Sequence, residues 1–132
     1  MSLIWSYACS VGIASMDDQH AALMDALNEV LAAVAHGADQ PTLTAYMTRL
    51  ITLAEQHFAS EERLLERFGF PGLDEHRIEH RAMLERLYEW HGKRPGAGYL
   101  TTWLENLRSW FHNHTEGVDR EYGPWLRAHG VH

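Results

Sequence analysis

Glycine and proline cut this chain into four long pieces, and that punctuation limits its fold more than any other feature. The breakers are Gly37 with Pro41, then Gly69, Pro71 and Gly72, then Gly92, Pro95, Gly96 and Gly98, and last Gly123 with Pro124. The first piece, about 17–36, repeats Leu23, Met24, Leu27, Val30, Leu31 and Val34 at the 3.6-residue period of an amphipathic helix. The second, about 41–67, carries Leu43, Met47, Leu50, Leu53, Ala54, Phe58 and Leu65 on one face, with Pro41 and Thr42 at its start. The third, about 73–91, has Leu73, Met83, Leu84 and Leu87, and the fourth, about 98–121, has Leu100, Trp103, Leu104, Leu107 and Trp110. No piece alternates as a strand would. Short connections make consecutive helices antiparallel, so the pattern predicts an all-α, up-down-up-down four-helix bundle. Residues 1–16 are left as a non-helical N-terminal arm and the end of the chain as a short tail.

Polar residues interrupt these apolar stripes at chosen places. His20 precedes Leu23 and Met24 on the first stripe, and His57 and Glu61 continue the second. His76 and His80 precede Met83 and Leu87, and His114 extends the line of Leu107 and Trp110. Burying an unpartnered imidazole or carboxylate costs roughly several kcal/mol, so these groups must share partners or a metal. His20 and the His76–His80 pair open their helices, whereas His57, Glu61, His114 and Asp119 close theirs. In the predicted topology all seven therefore lie at one end of the bundle. His57 to Glu61 and His76 to His80 are i, i+4 neighbours. His114 to Asp119 is i, i+5, roughly 140° apart on an ideal helix, so a distortion or helix end is expected there, near Gly117. Five imidazoles and two carboxylates without a thiolate suit iron, zinc or copper, and bridging carboxylates favour a pair of ions. Charge favours iron: two Fe(II), two carboxylates and a bridging hydroxide leave a single positive charge, and that charge is unchanged after two electrons pass to dioxygen.

Composition removes other classes of function. The 132 residues, 45% hydrophobic with five Trp, five Tyr and four Phe, fit a single domain spanning 1–132. A formal charge of −7 disfavours nucleic acid and membrane surfaces as partners. No stretch is a membrane span or a secretion signal, which makes the cytoplasm the expected location. One cysteine, Cys9, excludes an intrachain disulfide and a thiolate cluster.

With these residues in view, the chain resembles the haemerythrins, specifically the single-domain bacterial type. The resemblance rests on Trp5 with Val11-Gly12-Ile13, on Met16-Asp17-Asp18-Gln19-His20, and on His57-Phe58-Ala59-Ser60-Glu61-Glu62. It continues through His76-Arg77-Ile78-Glu79-His80 and Trp110-Phe111-His112-Asn113-His114 to Asp119 and Tyr122-Gly123-Pro124. It implies that His76, His80 and His114 hold one iron and His20 and His57 the other, with Glu61, Asp119 and an oxo or hydroxo group bridging both. It implies reversible dioxygen binding, as hydroperoxide, at an open position on the second iron. The family commonly has Ile after the last histidine, where this chain has Thr115; a hydroxyl there is expected to speed autoxidation. By helix proximity Met24, Phe58, Trp110, Thr115 and Val118 are expected to wall the oxygen pocket.

The remaining histidines serve as controls. His36 and His112 lie roughly 160° round their helices from the ligands, His91 is about 16 Å from His80, and His129 and His132 are in the tail, so all five are expected away from the site. Glu62, Glu66 and Glu79 read as solvated. Tyr122, one turn past Asp119, reads equally as a donor to a bridging carboxylate or as packing. A competing enzyme reading takes His76-Arg77-Ile78-Glu79-His80 as the H-x-x-E-H zinc peptidase pattern, but leaves five ligand candidates idle. Glu-x-x-His, the signature of ferritin-like diiron oxidases, does not occur. Within the haemerythrin reading, oxygen carriage, storage or delivery is expected ahead of oxygen or nitric oxide sensing and peroxide handling. The expected state is a monomer in transient contact with an oxygen-consuming protein.

Overall fold

A computed structural model describes residues 10–93, 97–114 and 120–132. The elements are α1 (Ala14–Ala35), α2 (Gln40–Arg67), α3 (Leu73–Lys93), α4 (Ala97–Asn113) and α5 (Arg120–Ala128). Helix α1 packs on α2 and α4, and α2 packs on α3, as an antiparallel four-helix bundle requires. No helix among the described residues is long and apolar enough to cross a membrane.

Local chemistry sets the helix ends. Asp39 caps α2 by accepting a 3.0 Å bond from the Thr42 N–H, and Pro41 sits in the first turn, where its missing N–H costs nothing. Gly37 and Gly69, at φ of 71° and 68°, take the left-handed turns that end α1 and α2. Helix α1 begins at Ala14, three residues before the expected start. Ile13 offers no side-chain cap, but Asp17 in the first turn accepts from the Ser10 hydroxyl at 2.6 Å and the Val11 N–H at 2.9 Å, which ties the preceding segment to the start of the helix.

Two further boundaries differ from expectation. The pattern predicts a fourth helix to 121 with a distortion or helix end near Gly117; α4 spans Ala97–Asn113, with a wider π-type turn at His114. The expected tail is largely the helix α5, which contains both Gly123 and Pro124. Its apolar side explains why it folds: Tyr122 and Leu126 are buried with Val11, Ile13, Met16 and Leu65 in a small cluster that closes one end of the bundle. The close approach of the N-terminal segment to α5 requires Gly123, since a Cβ there would strike the Val11 carbonyl. Arg127 donates to that same carbonyl at 2.9 Å.

The main core is a separate cluster, built from the predicted stripes and centred on Leu27, Val30, Met47, Leu87 and Leu104. Every histidine and carboxylate of the stripes that the structure describes lies near the capped end, among them Glu61 next to the end cluster through Tyr122.

Candidate metal centre

His20, His57, Glu61, His76, His80 and His114 are all buried, with no side chain more than 4% exposed. They come from four helices: His20 from the second turn of α1, His57 and Glu61 from the late part of α2, His76 and His80 from the beginning of α3, and His114 from the end of α4. Asp119, Thr115 and Val118 lie outside the described residues, as does Gly117.

Glu61 stands at the centre and divides its two oxygens. Oε2 faces His20 Nε2 at 3.6 Å and His57 Nε2 at 3.3 Å, and it accepts a 2.9 Å bond from the Tyr122 hydroxyl. Oε1 faces His76 Nε2 at 3.6 Å and His80 Nε2 at 3.0 Å. Two groups able to hold an ion result, His20 with His57 and Glu61, and Glu61 with His80 and His114; within each, the ligand atoms lie within 4.8 Å of one another. His76 lines the second group, its ring 5.6 Å from those of His80 and His114.

The outer edges of the rings are fixed by hydrogen bonds. His57 Nδ1–H donates to Gln19 Oε1 at 2.7 Å, His80 Nδ1–H to Glu62 Oε2 at 3.0 Å, and His114 Nδ1–H to Glu79 Oε2 at 2.8 Å. A neutral ring that donates from Nδ1 carries a lone pair on Nε2. His80 Nε2 and Glu61 Oε1 thus face each other with no hydrogen bond to either among the described residues, although both are buried. Two lone pairs 3.0 Å apart repel unless a cation lies between them, and the donor set, imidazole nitrogen with carboxylate oxygen, suits a divalent transition metal. Without a cation, a proton on the facing imidazoles takes its place: burial pushes the Glu61 carboxyl up, but hydrogen bonds from His20, His57 and His80 in that protonated form outweigh it and hold the carboxyl well below the usual carboxylate range. The carboxylate is therefore ready to bind metal without first losing a proton.

Aromatic rings pack behind the ligands. Phe58 stacks on His80 at 4.1 Å, Trp110 stacks on His114 at 4.6 Å, and Phe111 meets His20 edge-on at 6.1 Å. Phe58 and Trp110 lie on the stripes that predict them beside the site, whereas Phe111, one residue past the Leu107–Trp110 line, is not among the predicted wall residues. Met24 is fully buried in the main core.

Two expectations need correction. Glu62 and Glu79, read as solvated, are the acceptors for His80 and His114; each adjoins a ligand in sequence, but its partner lies on another helix, so no local pattern marks it. Glu66 does reach solvent, 66% exposed and paired with Arg77. His112 is half-buried rather than fully at the surface. His36 is exposed, its Nδ1–H donating to the Ala32 carbonyl at 2.7 Å, and His129 likewise bonds Trp125. His91 lies outside the residues whose side chains are described. For Tyr122, the bond to Glu61 and the packing role are both present.

Fold and site together define a helical-bundle protein that binds metal through histidine and carboxylate. Residues 11–126 match the Hemerythrin HHE cation binding domain, and the chain belongs to the haemerythrin family. It is 33% identical to a bacteriohemerythrin of Ralstonia nicotianae, over 96% of this chain and 90% of that one. It is 26% identical to a bacteriohemerythrin of Stenotrophomonas maltophilia, over 96% and 83%. A crystal structure of wild-type hemerythrin superposes with a TM-score of 0.83 over 92% of this chain and 95% of that one, at 24% identity, which extends the likeness to the fold. Membership and the buried His/Glu groups make this a non-haem iron protein of the oxygen-binding kind.

Proposed function

We propose that the chain holds two iron ions side by side and binds dioxygen reversibly at one of them, serving in carriage, storage or delivery rather than catalysis. The observation that carries this reading is the division of Glu61, one oxygen turned to His20 and His57 and the other to His76 and His80. A carboxylate that serves one ion has no reason to lie between two imidazole groups. In this reading His76, His80 and His114 hold one ion, His20 and His57 the other, and Glu61 with Asp119 spans both. When bound there, two iron ions would supply the two electrons that dioxygen takes up on binding and returns on release. The chain's own part is to orient the rings through Gln19, Glu62 and Glu79, to position Glu61 through Tyr122, and to exclude water with Phe58, Trp110 and Phe111.

A zinc peptidase on His76, His80 and Glu79 is less well supported. Glu79 turns to the outer edge of His114, and both histidines direct Nε2 inward to Glu61. The test is iron content followed by the visible spectrum of the anaerobically reduced protein before and after air, through several cycles of deoxygenation. Two iron per chain and a coloured adduct that forms and disappears repeatedly are expected. A single irreversible turnover would indicate an oxidase or peroxide-handling enzyme, and one metal per chain, as zinc with hydrolytic activity, would indicate a peptidase.

A further inference from the structure

Among the described residues, the hydrogen bonds to the outer edges of His57, His80 and His114 are not chemically alike. His57 leans on a neutral amide, Gln19, whereas His80 and His114 lean on carboxylates, Glu62 and Glu79. A carboxylate that accepts Nδ1–H draws that proton away from the ring and increases the electron density at Nε2. The ring becomes a stronger donor, and a stronger, more anionic donor set favours the more oxidised ion. An amide carbonyl holds the ring in the same orientation without adding charge.

We propose that Gln19, Glu62 and Glu79 are positioning residues that make the two halves of the centre unequal, so that oxidation begins at the ion beside His80 and His114. The inference rests on the two-ion reading above. The carboxylates also differ between themselves. Glu62 is 26% exposed and shares its charge with Arg77 at 3.5 Å. Glu79 is 40% exposed, and among the described residues its ion pair is with His114 alone, at 2.8 Å. Among the described residues no guanidinium is paired with Glu79, so its charge is not shared as that of Glu62 is, and its effect on the ring is the larger of the two. Gln19 is half-buried and orients His57 on the opposite side without adding charge to its ring.

The experiment uses the iron-loaded full chain, with iron per chain measured first. Wild type, Glu79→Gln, Glu62→Gln, Gln19→Glu and the exchange Glu79→Gln with Gln19→Glu are titrated electrochemically, one electron at a time, through a dye mediator. Mössbauer spectra of the one-electron-oxidised forms report the environment of the ferric ion. Each substitution preserves an acceptor for the ring, so a purely structural role would leave the potentials unmoved. Glu79→Gln is expected to disfavour the first oxidation about tenfold, or about 59 mV for one electron, with Glu62→Gln in the same direction and smaller. Gln19→Glu should instead ease the second oxidation and narrow the gap. The double exchange conserves net charge and should reduce or reverse the difference between the two ions, giving the ferric ion a changed Mössbauer signature. Two irons per chain with potentials unmoved in Glu79→Gln and Gln19→Glu, or moved equally in both steps, overturn the inference and leave the two-ion reading intact. Fewer than two irons in the wild type overturn both.

Discussion

Two layers of the same bundle, seven residues apart on every helix, contrast a core that is complete with one that is not. Leu27, Leu50, Leu87 and Leu107 form one layer; His20, His57, His80 and His114 occupy the equivalent positions of the other. Seven residues are about two turns, so each leucine lies on the same face as its histidine, roughly 10.5 Å further along. The offset runs forward in α1 and α3 and backward in α2 and α4, as antiparallel neighbours demand. Both layers are buried to the same degree. The four leucines meet around an apolar cavity of about 20 Å³ and need nothing further. The four histidines meet around a carboxylate, with lone pairs turned inward. Equal burial therefore has opposite consequences: one layer stabilises the fold, and the other depends on the fold to hold metal-binding groups together.

The largest effect should come from removing the group shared by both halves. Glu61→Ala is expected to lower iron from two per chain to near zero while the far-ultraviolet circular dichroism stays helical, whereas His36→Ala and His112→Ala retain both ions. Iron loss in His112→Ala equal to that in Glu61→Ala would mean that the site extends round α4 to its half-buried side.

Next comes the leucine layer, where the expected loss is of stability and not of metal. Leu87→Ala should cost about 2–5 kcal/mol in denaturant unfolding of the iron-free chain, with iron per folded chain unchanged. If Leu87→Ala empties the site as well, the two layers are not separable and the contrast fails.

A smaller effect is expected at the end cluster. Gly123→Ala places a methyl against the Val11 carbonyl, which should displace the N-terminal segment from α5 at a cost of about 1–3 kcal/mol. Because Tyr122 adjoins Gly123 and bonds Glu61, iron should also be lost faster to a chelator. Unchanged chelation kinetics would show that the cap is independent of the histidine layer.

The smallest concerns the far end of the bundle. The side chain and backbone N–H of Thr42 hold the Asp39 carboxyl below its ordinary value of 3.8. A lowered folded value stabilises the protein above the unfolded one, and that contribution is lost as pH falls through the lowered value. Asp39→Asn should therefore melt slightly below wild type at pH values above the ordinary 3.8, with the difference closing as pH falls below it. A constant difference across that range would assign the cap to the hydrogen bond alone, without charge.

The sequence by itself determined the helices, their antiparallel order and the histidines and glutamate buried at one end, because each depends on local information. A 3.6-residue stripe is written in consecutive side chains, breakers end it, and a histidine within a stripe must face the interior. The same logic placed His20, His57, Glu61, His76, His80 and His114 at one end. Local signals did not reveal the last helix, Arg120–Ala128, whose Tyr122 and Leu126 are buried with Val11 and Leu65, residues distant in sequence. Only the tertiary structure decided which partners stand behind the ligands. Glu62 and Glu79 look like ordinary helix-surface acids in sequence, yet they reach His80 and His114 across 18 and 35 residues, and Tyr122 reaches Glu61 across 61. A helix fixes the face on which a side chain lies, but contact with another helix depends on their relative rotation and offset, which the packing of the whole bundle sets.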